Sequence, residues 1–227
     1  MESITSQWNQ KQALLKSIIL KKECFDEAIR LCLEMHAMVH TSEMSKAGFE
    51  TYEDILWGGL EDKAFRTMPT AKDVTIAWNI WHLTRIEDIT ANILIAGGNQ
   101  IINSTNWLNK LHTKFTDTGN AMTDDEINQL SAEIDRDELL NYRIAVGRRT
   151  RDIVGHLTFS DLKRKMKPES LQRILDEKGV LENEGSRWLV DFWGKKTVAG
   201  ILLMPITRHQ IVHINDSLNL KKRLMRQ

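Results

Sequence analysis

From Leu202 to Leu224 the apolar residues fall on one face of a helix, and the middle of that stripe carries two imidazoles. At the helical period Leu202, Ile206, His209, His213, Leu220 and Leu224 align, with Asp216 and Ser217 completing the ladder. Side chains four residues apart on a helix have Cβ atoms about 5–6 Å apart, so both rings can turn toward one point. A buried stripe tolerates two adjacent, readily charged rings only when something satisfies them. A divalent metal ion meets that demand, and so would two hydrogen-bond acceptors. Pro205 lies inside the segment, which predicts a kink or a helix that begins properly between Ile201 and Pro205.

Ladders of the same period mark three further long segments. Over 22–41, Phe25, Ile29, Cys32 or Leu33, His36 and His40 share a line. Over 72–96 the line is Trp78, His82, Ile86 or Arg85, Ile89 and Ile93, opened by Thr70 or Asp73 and closed at Gly97-Gly98. Over 136–159, capped by Asp135 or Asp137, it is Leu139, Tyr142, Ile144 or Ala145, Arg149, Ile153, His156 and Leu157. The fourth segment is 197–224. With only 3 Pro and 12 Gly and almost no two-residue alternation, the chain reads as all-α. The joining stretches are long for an up-and-down bundle, so the expected architecture is a four-helix bundle with long ornamented connections, one domain over 1–227.

The connections are read more coarsely. Residues 5–20 form a short helix, and 99–122, rich in Asn and Thr, form a long and mostly irregular connection. Thr123 and Glu126 have capping-box spacing at a helix start, and Pro168 opens a charged helix. Trp188, Phe192 and Trp193 read as an aromatic connection into the final helix.

The charge balance, 31 basic against 31 acidic residues, excludes large-scale electrostatic attraction to nucleic acid or an anionic membrane surface. The basic runs at 148–151 and 163–167 read as solvated faces. The longest apolar run, Val198 to Ile206, falls far short of the ~20 residues a membrane helix needs. The first residues lack the apolar core of a signal peptide, and Cys24 and Cys32 lie two helical turns apart, too far to bond each other. A cytoplasmic protein with free thiols follows as the expectation. The chain has no G-x-S-x-G, no phosphate-cradling glycine loop and no C-x-x-C.

His82 with His209 and His213 forms the sharpest chemical constellation. Three protein ligands with a fourth position open for water or substrate is the arrangement of a catalytic zinc-type site, and neutral imidazole suits Zn, Ni, Cu or Fe. The bland alternative is three buried histidines satisfied by hydrogen bonds, and H-x-x-x-H recurs at His36 and His40. His36 reads as an end-of-helix residue interacting with the dipole, and His40 as a pocket-lining group that assists proton transfer. His112 and His156 read as structural or solvated. One of Arg85, Glu87 and Asp88 would orient His82, or all three form a solvated helix flank. Trp78, Trp81, Trp188 and Trp193 either wall a pocket or belong to the core.

The sequence W-N-I-W-His82-L opening a long helix, followed much later by His209-x-x-x-His213 on the last, resembles the DinB-like family of four-helix-bundle metalloproteins. The resemblance implies that His82, His209 and His213 bind one divalent metal ion, zinc or nickel. It implies a thiol-dependent transferase or isomerase, with a low-molecular-weight thiol as cosubstrate, a small-molecule substrate and a homodimeric state. After the last pair this chain reads V-His213-I-N-D-S, where the family often has H-H-R-G-Q. A non-catalytic, metal-stabilised bundle serving as a dimeric binding or stress-response module is the rival expectation.

Overall fold

The computed structural model describes residues 4–71 and 73–225, and among these it contains helices and no strand, only a single isolated bridge between Lys165 and Thr197. In chain order the helices are α1 (Ile4–Ile18), α2 (Phe25–Met38), α3 (Ser42–Ser45), α4 (Tyr52–Trp57), α5 (Asp62–Arg66) and α6 (Ile76–Asp88). They continue with α7 (Trp107–Lys110), α8 (Asp124–Glu133), α9 (Arg136–Gly155), α10 (Pro168–Asp176), α11 (Glu184–Gly194), α12 (Val198–Leu203) and α13 (His209–Leu224). The four expected long segments are α2, α6, α9 and the run α12–α13, and the chain is all-α as anticipated.

The bundle is built around α6, which packs on α9 and on α13 and continues through a π-helical stretch, Ile89–Ile95. Between Ile76 and Ile95 every residue except Trp78 is buried. A helix buried all round must bury its polar residues too, and each then needs an internal partner. Arg85, Glu87 and Asp88 are therefore not a solvated flank. Arg85 pairs with Asp88 at 2.9 Å and donates to the Tyr142 hydroxyl at 2.7 Å.

Helix starts follow local chemistry. Thr51 with Asp54 and Thr123 with Glu126 form capping boxes, and Asp135 accepts from the Asp137 and Glu138 amides. The α6 start differs from expectation. Position 72 lies outside the described residues, and the cap is Thr75, whose hydroxyl accepts from the Trp78 amide at 2.9 Å. Thr70 instead donates to Asp73, outside the helix. The first long segment opens with a 3₁₀ turn, Lys22–Cys24, and the third ends at Gly155, with Arg149 exposed.

Pro205 produces a π-helical stretch, Met204–Arg208, between α12 and α13. Proline has no N–H to give to the preceding turn, and its ring crowds the carbonyl four residues back, so the ladder widens there. Side chains take up the carbonyls this frees: Thr207 donates to Leu202 O at 2.8 Å and Gln210 to Pro205 O at 3.0 Å.

The aromatic stretch around Trp188 is a helix, α11, rather than a connection. Asn183 caps it, and Trp188, Leu189, Phe192 and Trp193 repeat at helical spacing. One apolar cluster, from Trp8 to Leu220, runs through the bundle. No helix among the described residues is long and apolar enough to cross a membrane.

Candidate metal centre

Helices α6 and α13 lie side by side with a register fixed beside the imidazoles. Gln210, the residue after His209, donates to the carbonyl of Leu83, the residue after His82, at 3.2 Å. Gln210 accepts in turn from Arg143, whose guanidinium also holds Glu53 at 2.6 Å and the Val39 carbonyl at 2.7 Å. This node ties α4, the end of α2, α9 and α13 together in the interior.

The register brings His82, His209 and His213 into one group, with ring centroids 4.5–5.0 Å apart. One ligand nitrogen or oxygen from each lies within 4.8 Å of the others. The Nε2 atoms of His82 and His209 are 3.2 Å apart. Two nitrogens bound at ~2.0–2.1 Å to a common tetrahedral ion stand about 3.3 Å apart, so the spacing fits shared coordination.

The outer ring atoms are arranged to match. His82 donates Nδ1–H to the Thr118 carbonyl at 2.7 Å, and His213 donates Nδ1–H to Asn79 Oδ1 at 2.8 Å. Each bond fixes the tautomer that leaves Nε2 with a free lone pair, as the outer contacts of metal-bound histidines do. Nδ1 of His209 is buried and has no partner among the described residues.

Burial keeps all three rings neutral. It pushes His82 down to about 3, helped by His213 and opposed by the Thr118 bond, and pushes His213 down to about 4. His209 is held well below the ordinary imidazole range by burial and by its two neighbours. Three neutral rings with convergent lone pairs are a donor set that could hold a divalent ion.

The Thr118 carbonyl belongs to a larger clamp, which the sequence reading missed. Carbonyls of residues 116–119 each accept from a side chain of α6: Thr116 from Arg85, Asp117 from Trp81, Thr118 from His82 and Gly119 from Trp78. Trp78, Trp81, His82 and Arg85 stand at i, i+3, i+4 and i+7, one helix face carrying an N–H donor at each position. That spacing was the available signal. Neither Glu87 nor Asp88 orients His82; a backbone carbonyl of the long connection does.

A cavity of about 370 Å³ opens onto the three imidazoles. Trp78, Trp188, Phe192 and Trp193 line it, with Leu189, Met204 and Pro205, so α11 and the π-helical stretch form its walls. Trp78 stacks on His82 at 4.6 Å with 7° between planes, and Trp81 belongs to the core. A larger cleft, about 560 Å³ between α2 and α9, touches none of the three rings.

His40, expected to line the pocket, does not line this cavity. It is 1% exposed and sits with His36 and Glu87 in a second buried cluster. Each oxygen of Glu87 faces one ring: Oε1 lies 2.7 Å from His36 Nε2 and Oε2 3.0 Å from His40 Nε2. Burial works to raise the Glu87 carboxyl, and the two imidazoles overcome it, holding the group well below the usual carboxylate range. Burial pushes His40 down to about 3. His36 lies in the last turn of α2, as expected, but it is buried and its ring meets Glu87. The reason is Glu87, a buried carboxylate that must be met by donors, here His36 from the last turn of α2 and His40 just beyond it. His156 is exposed, as expected.

Similarity to known proteins agrees with this architecture. No curated protein matches the chain in sequence. A conserved protein of a locus from Enterococcus faecalis, solved by crystallography, shares the fold with a TM-score of 0.57 at 16% identity, covering 87% of this chain and 97% of its own. A family model described as the DinB superfamily matches residues 54–216. That span contains α6 and the first two turns of α13, the helices that bring the three imidazoles together, and on it the chain belongs to the DinB superfamily.

Proposed function

We propose that the protein is a divalent-metal-dependent enzyme acting on a small molecule, with zinc or nickel held by His82, His209 and His213. The observation that carries this reading is the convergence of neutral Nε2 atoms, two of them 3.2 Å apart, at the floor of an aromatic cavity. The reaction class proposed is thiol S-transfer or isomerisation with a low-molecular-weight thiol as cosubstrate. When bound, such an ion supplies Lewis acidity, which turns a thiol or water into an effective nucleophile near neutral pH.

The chain's own residues do the rest. Thr118 and Asn79 hold two rings in the ligating tautomer, Gln210 holds the helix register, and the aromatic walls keep water off the reacting groups. His40, enclosed with His36 and Glu87 and outside the cavity, is read as a structural group rather than one that assists proton transfer. We read the chain as one domain, since one apolar cluster spans it, and as cytoplasmic, since both cysteines are unbonded. A homodimer follows from the family resemblance.

Elemental analysis of protein purified without a histidine tag tests the reading. The expected result is about one equivalent of zinc or nickel, lost in His209→Ala together with thiol-dependent consumption of an electrophile. A chelator that lowers the melting temperature while no thiol supports turnover would favour a metal-stabilised scaffold instead.

A further inference from the structure

The peptide unit that steers His82 is gripped on both sides. Its carbonyl, from Thr118, accepts from His82 Nδ1 at 2.7 Å. Its N–H, from Gly119, donates to Asp117 Oδ1 at 2.6 Å. Asp117 is buried, and its side chain bonds the backbone two residues on, the contact that defines an Asx turn. Gly119 suits that turn: its φ is +78°, and a Cβ there would stand 2.8 Å from Trp78 Nε1. The neighbouring groups are anchored separately. Thr118 N–H donates to the Gly179 carbonyl at 3.0 Å, while the Asp117 and Gly119 carbonyls accept from Trp81 and Trp78. The tilt of the central peptide plane is therefore left to Asp117 and His82.

We propose that Asp117 is a positioning residue of the metal centre: through the Thr118–Gly119 peptide it holds His82 with its Nε2 lone pair turned to the ion. A carboxylate bonded directly to a metal-binding imidazole fixes the ring and raises its basicity. Here one peptide unit stands between the two, and it carries the orientation together with part of the polarisation, since bonds in a chain strengthen one another. Without the Asp117 acceptor the peptide plane is free to tilt, the Thr118 carbonyl swings off the ring, and His82 loses its preference for the Nδ1–H form. The inference rests on the proposed reading of the imidazole site, to which it adds a residue outside the three ligands and their direct partners.

Two measurements on Asp117→Ala test it, neither of them turnover. Nitrogen-15 NMR of histidine-labelled, chelator-treated protein at pH 7 reads the tautomer of His82, whose signals are assigned by their loss in His82→Gln. The parent should hold the Nδ1–H form, and Asp117→Ala should populate the Nε2–H form as well. Competition with a chromophoric chelator should show zinc held about tenfold more weakly by that variant, the lower end of what a lost outer contact costs. Asp117→Asn keeps an acceptor for the Gly119 N–H and should return the tautomer to the parent form and the affinity to within about threefold. Asp117→Leu, which keeps the volume, is the companion variant should alanine disturb the loop. A residue that merely shapes the turn would lower the urea midpoint and leave tautomer and affinity unchanged; that result would overturn the inference, as would an asparagine variant as impaired as the alanine. A parent that takes up no ion removes the enzymatic reading, and the tautomer comparison then decides by itself whether Asp117 positions His82.

Discussion

Replacing Asn79 by leucine should loosen the grip on a divalent ion without unfolding the protein. Asn79 lies on α6 three residues before His82, and its Oδ1 accepts Nδ1–H of His213 at 2.8 Å, so one helix supplies a ligand and steers another. Leucine keeps the volume and helix propensity and removes the acceptor. The His213 donor, left unpaired in a largely buried site, then costs about 1–3 kcal/mol. Loss of such outer contacts typically weakens metal binding 10–100-fold, which is about 1.4–2.7 kcal/mol, and the two ranges agree. The metal-free fold should lose less, because without an ion His213 can carry its proton on Nε2, and the substitution also removes Asn79 Nδ2, which is buried without a partner among the described residues. Competition with a chromophoric chelator at pH 7, after circular dichroism has shown intact helices, gives the dissociation constant. Asn79→Asp keeps the acceptor and should bind the ion at least as tightly as the parent. An Asn79→Leu affinity within twofold of the parent would refute the reasoning, and so would an aspartate variant as weak as the leucine.

Other expectations follow from the same packing. Gly147→Ala gains about 1 kcal/mol of helix propensity, but its Cβ would stand 2.8 Å from His40 Nδ1 and 2.9 Å from Met44 Cγ. Overpacking of about 1–3 kcal/mol should win, lowering the urea midpoint. Glu87→Gln places an amide N–H against one of two imidazole donors and should cost about 1–3 kcal/mol, read from the same midpoint. The pH dependence has a definite sign. His82 and His213 titrate at about 3 and about 4 when folded, below 6.5 in the unfolded chain. Between those values the unfolded chain takes protons that the folded one refuses, so stability falls as pH drops from about 6.5 toward 4, by up to about 1.4 kcal/mol per pH unit for each group. Chelator-treated protein should therefore show a lower urea midpoint at pH 5 than at pH 7; an unchanged midpoint would contradict the burial of these rings.

The sequence by itself determined the helical class, the four long segments and the three imidazoles, because each is written in local periodicity. His209 and His213 share a face by spacing alone, and His82 stands on an apolar ladder that has to face inward. Trp188, Leu189, Phe192 and Trp193 carried a helical signal too, one masked by their aromatic density and the glycine that follows.

Tertiary structure alone decided which groups partner those rings. His82 is steered by a carbonyl 36 residues away and His213 by an amide 134 residues away, and backbone acceptors leave no trace in residue identity. The two H-x-x-x-H pairs look alike in sequence, yet one faces a cavity and the other encloses Glu87. What separates them is the environment opposite each pair. A carboxylate on a wholly buried helix claims the donors of His36 and His40, whereas the rings at 209 and 213 meet another neutral imidazole and open space.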